Sequence, residues 1–496
     1  MALSRQYRPR QPQTTALYQI LSEHFEGFLS ETAEHDQPVP RFVADELRGF
    51  LTCGDLREGF ALCRCGHCGT ERLVPFSCGG RGFCPSCMGR RMSDTASRLV
   101  DQVFPRVPVR QWVLSLPPSL RYVLAYDSEL CTEVLGAFTK EVSAFVERTA
   151  RAQGDIPNEA QVHCGTVTAI QRADSAAKLN LHFHSLALDG AYVSEGEDLR
   201  FVATPAPSEA EVSAVAWEVC LRTKELLRAR GLALDANPDD LDPDYGQGSL
   251  LGDPMLSACA TASMQGLVLL GPRAGKQVLR LGTGPHDKDH HGRAAHGFDL
   301  NASRRVSADD KKGLERLCRY ILRPPLSHDR VELTERGQVR LRLKRPWQDG
   351  TTHLVFSPRD FVARLVPLVP PPRTHRVRYS GVLASHHRLR SRVVPEPPAD
   401  TESKQLDLYR PGKEQLAPAP KSRIEWHELM ARTLGFDPLV CPTCERVMRV
   451  VQFVTRPASI QAHLRWRGLL EQLPPTALPR GPPQLELPFP KRAAAA

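Results

Sequence analysis

The sequence lacks any run of about 18 consecutive apolar residues, the length that a helix needs to span a bilayer. Its first residues, MALSRQYRPRQPQ, contain no apolar segment of the kind found in secretion signals. Internal repeats are missing as well. The first two absences argue against a membrane protein and against a secreted protein, and we expect a cytoplasmic location.

The composition also shows no strong excess or shortage of hydrophobic or charged residues. Hydrophobic residues make up 41% of the chain and charged residues 24%, close to the averages for soluble globular proteins. A chain that is disordered throughout is therefore excluded. At 496 residues the chain is too long for a single core, so about three folded units are expected.

The chain has no large excess of one charge, since its formal net charge is +9, but its basic residues are clustered. Between Arg316 and Arg345 there are nine Lys or Arg residues against three Asp or Glu, and between Arg373 and Arg392 there are six against none. Such segments suit a phosphate backbone. They are equally compatible with solvated arginine faces.

Seven of the fourteen cysteines lie between Cys53 and Cys87. In a reducing cytoplasm this clustering favours metal binding over disulfides. Two CxxC turns separated by fifteen residues have the spacing of a four-thiolate zinc site, and we predict structural zinc on Cys65, Cys68, Cys84 and Cys87. Further residues that could replace or add a ligand are Cys63, His67 and Cys78. The nearby arginines, which either contact a polyanion or are incidental, are Arg81, Arg90 and Arg91.

A single CxxC turn occurs at Cys441 and Cys444, with no second pair near it in the sequence. It is half of a zinc site, a redox pair or two buried thiols, and the sequence does not decide between these.

Changes in residue pattern predict six units along the chain. The central unit has the strand-like runs of a mixed α/β sheet domain, and the amphipathic segment SEAEVSAVAWEVCLRTKELLRARGL reads as a helix inserted into it. The predicted units are an N-terminal helical segment (1–52), a zinc module (53–95), a sheet domain (105–367) with an insertion at about 203–255, a Pro- and Arg-rich arm (368–425), a small unit with CxxC (426–470) and a disordered tail (471–496).

The segment LNLHFHSLALDG predicts a strand with two histidines on one face. A strand repeats every two residues, so His182 and His184 point to one side and Leu181 and Phe183 to the other. Both imidazoles then reach one ion. A pair of structural histidines is the competing interpretation. Gln171, at the end of the strand-like run GTVTAIQ, is a candidate third, neutral ligand or else a solvent-facing amide.

The segment DKKGLERLCRYILRPP predicts a helix whose buried stripe contains Leu314, Leu317, Cys318 and Ile321. Tyr320 lies about 110° from the centre of this stripe, at 100° per residue. Arg316 on the preceding turn and Arg323 on the following one are expected beside it, where they can hold a phosphate. Tyr320 is therefore predicted to flank the core and not to lie within it.

Together these segments resemble the HUH-superfamily rolling-circle transposases of the insertion sequence 91 family, including the common-region elements. The resemblance runs from about residue 15 to 465. The segments that carry it are RCGHCGTERLVPFSCGGRGFCPSCMGRRM, VRQWVLSLPPSLRYVLAYD, LNLHFHSLALDG, LERLCRYILRPPLS, LKRPWQDGTTHLVFSP and VPPPRTHRVRYSGVLA.

The resemblance implies an α+β fold, in which helices flank a central antiparallel sheet, and an enzyme that nicks one DNA strand and keeps its 5′ phosphate on tyrosine. His182 and His184 match the residues that bind magnesium or manganese, and Tyr320 matches the nucleophile. The founding members have a second tyrosine four residues away, where this chain has Arg316. That difference indicates the single-tyrosine type and leaves open how two strand transfers are managed.

The expected partner is single-stranded DNA, at the element ends and at the target, in a bacterial cytoplasm. Contacts to phosphate are predicted for Arg316, Arg319, Arg323, Arg345 and Arg373, and base stacking for Trp347 and Tyr379 unless these are core residues. Tyr379 is also the rival nucleophile. A plasmid-type replication initiator or relaxase and a non-catalytic zinc DNA-binding regulator remain as alternatives.

Overall fold

The computed structural model describes residues 11–154, 156–232, 252–282, 294–295, 297–395, 427, 430–431 and 437–470. Residues 233–251 of the predicted insertion, the part of the predicted arm beyond residue 395 and the predicted disordered tail at 471–496 lie outside these ranges. Among the described residues, no helix is both long enough and apolar enough to cross a membrane.

A six-stranded sheet forms the centre of the molecule, and every neighbouring pair of its strands is antiparallel. The strand order is β10-β11-β3-β6-β5-β15. These strands are β3 (Val109–Ser115), β5 (Gly165–Ala173), β6 (Leu179–Leu188), β10 (Ala294–Ala295), β11 (Phe298–Val306) and β15 (Val377–Gly381). The prediction of a central antiparallel sheet is confirmed.

Helices cover both faces of this sheet, as predicted for an α+β fold. The eleven α-helices in the described ranges are α1 (Ala16–Glu34), α2 (Arg41–Leu51), α3 (Pro85–Gln102), α4 (Pro118–Tyr126), α5 (Ser128–Gln153), α6 (Glu209–Ala229), α7 (Pro254–Gln265), α8 (Lys311–Ile321), α9 (Pro358–Leu365), α10 (Arg390–Val393) and α11 (Pro457–Trp466).

One face of the sheet contributes Trp112, Leu114, Leu181 and Phe183 to the larger core, together with buried residues of α4 and α5. The opposite face is covered by α3 and α8. The α8 residues buried there are the predicted stripe, Leu314, Leu317, Cys318 and Ile321. The sequence period therefore identified the inner face of α8 correctly.

The predicted helix after residue 208 is present as α6, and it begins at a capping box formed by Ser208 and Glu211. It packs on α5 and β11, so it belongs to the helical layer over the sheet.

The Pro- and Arg-rich segment after residue 367 was predicted to be an extended arm, and this was wrong for β15. This strand pairs with β5, Val377 opposite Ala169 and Tyr379 opposite Val167. β15 is an edge strand, so its backbone pairs on one side only. Its side chains are mostly half-buried, and the hydrophobic signal in its sequence is therefore weak. The central domain therefore extends past the predicted boundary at 367.

A three-stranded sheet in the order β16-β1-β2 joins residues from the two ends of the chain. Its strands are β1 (Phe60–Cys65), β2 (Glu71–Pro75) and β16 (Met448–Val454). β16 pairs with β1 along its length. The predicted zinc module at 53–95 and the predicted unit at 426–470 therefore share one sheet and are not separate units.

Two smaller sheets complete the described fold. One has the order β12-β13-β14-β9 and the other the order β4-β7-β8. Their strands are β4 (Gln161–His163), β7 (Gly190–Glu195), β8 (Asp198–Ala203), β9 (Leu279–Leu281), β12 (Val331–Leu333), β13 (Val339–Arg342) and β14 (His353–Phe356). The strand predicted in QVRLRLKRPW is β13.

Candidate active site and metal sites

The two histidines of LNLHFHSLALDG lie on β6, which is hydrogen-bonded on both sides in the middle of the central sheet. They point to the face that carries α8, and their ring centroids are 4.9 Å apart. His184 is 3% exposed. The strand period thus places both imidazoles together, as the sequence pattern predicted.

In each of the two rings, one nitrogen is engaged by a hydrogen bond and the other is available to bind a ligand. His182 Nδ1 lies 2.7 Å from the backbone oxygen of Asn180, to which its N–H donates, and this leaves Nε2 with the lone pair. His184 Nε2 is buried and has no hydrogen-bond partner among the described residues. A buried nitrogen without a partner is costly and suits a site that a ligand completes.

Gln111, on β3, contacts the other nitrogen of His184. Its amide nitrogen lies 2.8 Å from Nδ1. The two ends of a side-chain amide have the same shape, and rotation by 180° brings the oxygen to this position instead. The oxygen then accepts a hydrogen bond from Nδ1–H and leaves the Nε2 lone pair free for a metal. Sequence reasoning missed Gln111, although the strand period puts it on the same face as the histidine pair.

Both histidines are held in the neutral form that binds cations. Burial lowers the pKa of His184 to about 3, with smaller contributions from His182 and Arg323. Burial also lowers the pKa of His182, and Arg323 adds to this effect. The donor set therefore consists of two neutral imidazoles.

Tyr320 projects from α8 over the histidine pair. Its ring centroid is 5.7 Å from that of His184, with the ring planes at 86°, and its side chain is 39% exposed. The Asp310 side chain begins the helix by accepting a hydrogen bond from Gly313 N at 2.7 Å. Tyr320 is thus partly exposed to solvent while its ring packs perpendicular to that of His184.

Two guanidiniums lie over the Tyr320 ring. Arg323 is 4.3 Å and Arg304 6.0 Å from the ring centroid. Arg316 was predicted to be one of this pair, but its guanidinium lies 3.8 Å from Asp310 in an ion pair. The second cation comes from β11 instead, and sequence reasoning missed it because strand and helix are brought together only by the fold.

Gln171 lies directly across the strand pair from His182. Its amide nitrogen donates to the backbone oxygen of Ile321 at 2.6 Å and to that of Tyr320 at 3.3 Å. The side chain therefore connects β5 to the end of α8. Only its oxygen remains to face an ion, so the predicted third ligand stays a prediction.

The other predicted DNA contacts have different surroundings. Arg345 and Arg373 are exposed. Arg319 donates to Ser93 Oγ at 3.0 Å and so faces α3. The ring of Trp347 lies between the Arg280 guanidinium at 5.1 Å and the Lys178 amine at 5.8 Å. The rival nucleophile Tyr379 is half-buried against the core beneath α8.

The cysteines form two clusters, and each contains four sulfur atoms that lie within 4.8 Å of one another. The first cluster is Cys53, Cys78, Cys84 and Cys87; the second is Cys65, Cys68, Cys441 and Cys444. The predicted single site on Cys65, Cys68, Cys84 and Cys87 was therefore wrong. The knuckle at Cys65 faces the C-terminal unit, whereas Cys84 and Cys87 lie at the start of α3 and face Cys53 and Cys78.

The first cluster has the dimensions of a tetrahedral zinc site. Cys87 Sγ lies 3.4 Å from Cys78 Sγ and 3.7 Å from Cys53 Sγ, and Cys84 Sγ is 3.7 Å from Cys53 Sγ. Four thiolates about 2.3 Å from zinc are about 3.8 Å apart. Cys78 was recognised as a spare ligand from the sequence. Cys53 was missed because it precedes the first CxxC turn by twelve residues.

Comparison with protein families gives two matches. A family model with the description "Putative transposase" (Y2_Tnp) matches residues 165–391, the range that contains the histidine pair and Tyr320. The model of the transposase zinc-binding domain Zn_Tnp_IS91 matches residues 20–116, which contain the first cysteine cluster. No curated protein and no solved structure matches the chain.

The zinc-binding match precedes the transposase match, and both fall within the residues that carry the sequence resemblance. The zinc-binding domain supports structural zinc, and the transposase domain implies an enzyme that cuts and transfers DNA strands. The chain belongs to the IS91 family of transposases.

Proposed function

We propose that this transposase nicks and rejoins single-stranded DNA at the ends of its element, through a covalent 5′-phosphotyrosine on Tyr320, as in rolling-circle transposition by HUH nucleases. The observation that carries the proposal is the contact between Tyr320 and His184, whose ring centroids are 5.7 Å apart. These residues are separated by 136 positions in the chain. In this proposal the phenol, the two imidazoles and the two guanidiniums act together on one scissile phosphate.

The histidine pair fits a divalent cation, because each ring is neutral and the buried Nε2 of His184 has no hydrogen-bond partner among the described residues. His182 and His184 would hold the ion, with the oxygen of Gln171 as the third ligand. When bound, magnesium or manganese supplies charge compensation for the scissile phosphate. Imidazole nitrogens favour manganese over magnesium.

The proposed step is a transesterification. The phenolic oxygen of Tyr320 forms a bond to the scissile phosphorus while the bond from phosphorus to the 3′ oxygen breaks. The phenol loses a proton and the leaving 3′ oxygen gains one. Since one phosphoester replaces another, no nucleotide cofactor is needed, and the reverse reaction with a new 3′ hydroxyl joins the strand to its target.

In this proposal Arg323 and Arg304 hold the phosphate during the step. Both guanidiniums lie over the Tyr320 ring, and a planar guanidinium binds phosphate oxygens through paired N–H donors. Gln171 acts as a positioning residue, because it donates to the backbone oxygens of Tyr320 and Ile321. It fixes the end of α8 relative to the histidine strand.

A single tyrosine serves both strand transfers in this proposal. The position four residues before Tyr320 is Arg316, which is exposed and pairs with Asp310. Tyr379, the other candidate, packs beneath α8 and pairs through the backbone with β5. The arrangement therefore favours the single-tyrosine type.

The test is to incubate the full chain with single-stranded DNA of its element ends and Mn²⁺, and to detect a DNA-protein adduct on a denaturing gel. We expect an adduct whose labelled peptide, identified by mass spectrometry, contains Tyr320. Tyr320→Phe should abolish cleavage and adduct while DNA binding persists. Tyr379→Phe is the matched control and should form the adduct normally.

An adduct that survives Tyr320→Phe would contradict the assignment of the nucleophile. A chain that binds DNA but forms no adduct with any element-end strand, in Mn²⁺ or Mg²⁺, would contradict the proposed chemistry and favour a non-catalytic regulator.

A further inference from the structure

The second cysteine cluster joins two parts of the chain that are far apart in sequence. Cys65 Sγ lies 3.5 Å from Cys444 Sγ, and Cys68 Sγ lies 3.4 Å from Cys441 Sγ and 3.5 Å from Cys444 Sγ. These separations are close to the edges of the tetrahedron that four thiolates form around zinc. All fourteen cysteines are free thiols, so no disulfide accounts for the approach.

We propose that Cys65, Cys68, Cys441 and Cys444 bind a second structural zinc ion, which attaches the C-terminal unit (437–470) to the zinc module. This ion is additional to the zinc of the matched domain, since that domain ends at residue 116. The proposal is independent of the chemistry at Tyr320.

The backbone of the two CxxC turns supports the same conclusion without reference to the sulfurs. In the first turn, Gly69 N donates to Cys65 O at 3.1 Å, and in the second turn Glu445 N donates to Cys441 O at 3.0 Å. Cys65 N donates to Thr70 O and Cys441 N to Arg446 O, both at 2.9 Å. The two turns thus form a matched pair of knuckles that face each other.

Glu445 adds an energetic argument. Its φ is +57°, in the left-handed region that glycine adopts easily, and the equivalent residue of the first knuckle is Gly69 with φ of +73°. For a residue other than glycine this conformation is unfavourable, because Cβ approaches the following carbonyl oxygen. The turn at Cys441 therefore keeps the knuckle geometry against a local cost, and metal ligation at both cysteines offsets that cost.

Several large apolar side chains of the C-terminal unit are exposed, although Val454, Ile460 and Leu464 are buried against the zinc module. Along β16, the side chains of Val451 and Phe453 are 51% and 50% exposed, and Val447 just before it is 74% exposed. The hydrophobic core around the cluster receives only a few side chains from each strand. In small units of this kind, zinc binding supplies folding free energy that burial does not.

The cysteines of the two clusters differ in solvent exposure, so zinc should dissociate from the two proposed sites at different rates. Three cysteines of the first cluster are buried, whereas in the second cluster Cys68 is exposed and Cys444 is half-buried. A chelator reaches exposed sulfurs first. We expect zinc to leave the full chain in two phases, the second site emptying before the first.

The zinc content of the purified full chain, measured by elemental analysis and native mass spectrometry, tests the proposal. Two ions per chain are expected. The double variants Cys441→Ser/Cys444→Ser and Cys65→Ser/Cys68→Ser should each contain one ion, and the quadruple variant that combines them should also contain one. Cys131→Ser/Cys220→Ser, at buried cysteines outside both clusters, is the matched control and should keep two.

If the two double variants and the quadruple variant all lose the same single zinc ion, the four cysteines share one site. A wild-type chain with one zinc would overturn the proposal, as would a quadruple variant that loses two ions or a Cys441→Ser/Cys444→Ser variant that keeps two. If a variant fails to fold, the wild-type chain still decides, because a single phase of zinc release with one equivalent contradicts a second site.

Discussion

In the proposed metal site, Gln111 is the residue that sets which nitrogen of His184 faces the ion. Its side chain contacts Nδ1 at 2.8 Å, and partners of this kind typically change metal affinity by about 10- to 100-fold when removed. We therefore predict that Gln111→Leu weakens Mn²⁺ binding at the histidine pair by about that factor, as measured by calorimetric titration. Gln111→Glu should restore it, because a carboxylate accepts the same hydrogen bond.

The matched control for Gln111 is Gln348→Leu, at an exposed position outside the site. It should leave Mn²⁺ affinity unchanged. Equal affinities for Gln111→Leu and the wild-type chain would mean that His184 does not depend on Gln111 for its tautomer.

At the residue scale, the sequence predicted only the features that follow from the strand period and the helix period. The strand period placed His182 and His184 on one face, and the helix period placed Tyr320 beside the buried stripe. Neither period shows which long side chain reaches a site from another element. Arg304 therefore replaces Arg316 over the phenol, since Asp310 lies close enough to Arg316 to form an ion pair with it.

At the scale of elements, the end of β6 is held by a buried ion pair. Asp189 accepts hydrogen bonds from Arg110 Nε at 2.6 Å and from Arg305 Nε at 2.7 Å, which connects β6 to β3 and β11. Removing one partner of a buried pair typically costs about 3–5 kcal/mol. We predict that Asp189→Ala lowers the free energy of unfolding by that amount, as measured by denaturant titration.

Asp309→Ala is the control for Asp189, because its carboxylate is exposed and lies 3.9 Å from Arg106. Its expected effect is below about 1 kcal/mol. A loss of similar size in both variants would show that the Asp189 ion pair adds nothing beyond a surface contact.

Strand β15 shows why the sequence placed one element wrongly. Its residues VRYSG alternate apolar and polar side chains over only four positions, and the surrounding Pro and Arg residues suggested an extended arm. An edge strand is specified mainly by the backbone groups of its neighbour, here β5. Backbone pairing of this kind has no local signature in composition.

At the scale of the whole molecule, the zinc module is built from both ends of the chain. Two CxxC pairs at the right spacing were enough to predict zinc, but not which pairs share an ion. Cys68 and Cys441 approach each other across 373 residues, and spacing rules apply only to ligands that are close in sequence. Zinc binding by the cysteines was therefore predictable, whereas the number of ligands and their grouping required the fold.

The first cysteine cluster also connects the zinc module to the helix that carries the proposed nucleophile. Cys84 directly precedes α3, and Cys87 lies in its first turn. α3 packs along α8, with Lys311 Nζ 2.7 Å from Asp101. Zinc on this cluster should therefore fix α3, and α3 in turn should fix the helix that carries Tyr320.

From this connection we predict that Cys53→Ser/Cys78→Ser slows adduct formation at Tyr320 by more than about tenfold, because small misplacements of reacting groups cost up to about 100-fold in rate. Mn²⁺ binding at the histidine strand should persist, which separates this effect from global unfolding. Cys441→Ser/Cys444→Ser should slow the reaction far less, since the four cysteines of that cluster lie outside α3 and α8. A chain that lost the first zinc and still formed adduct at the wild-type rate would show that the sheet alone positions α8.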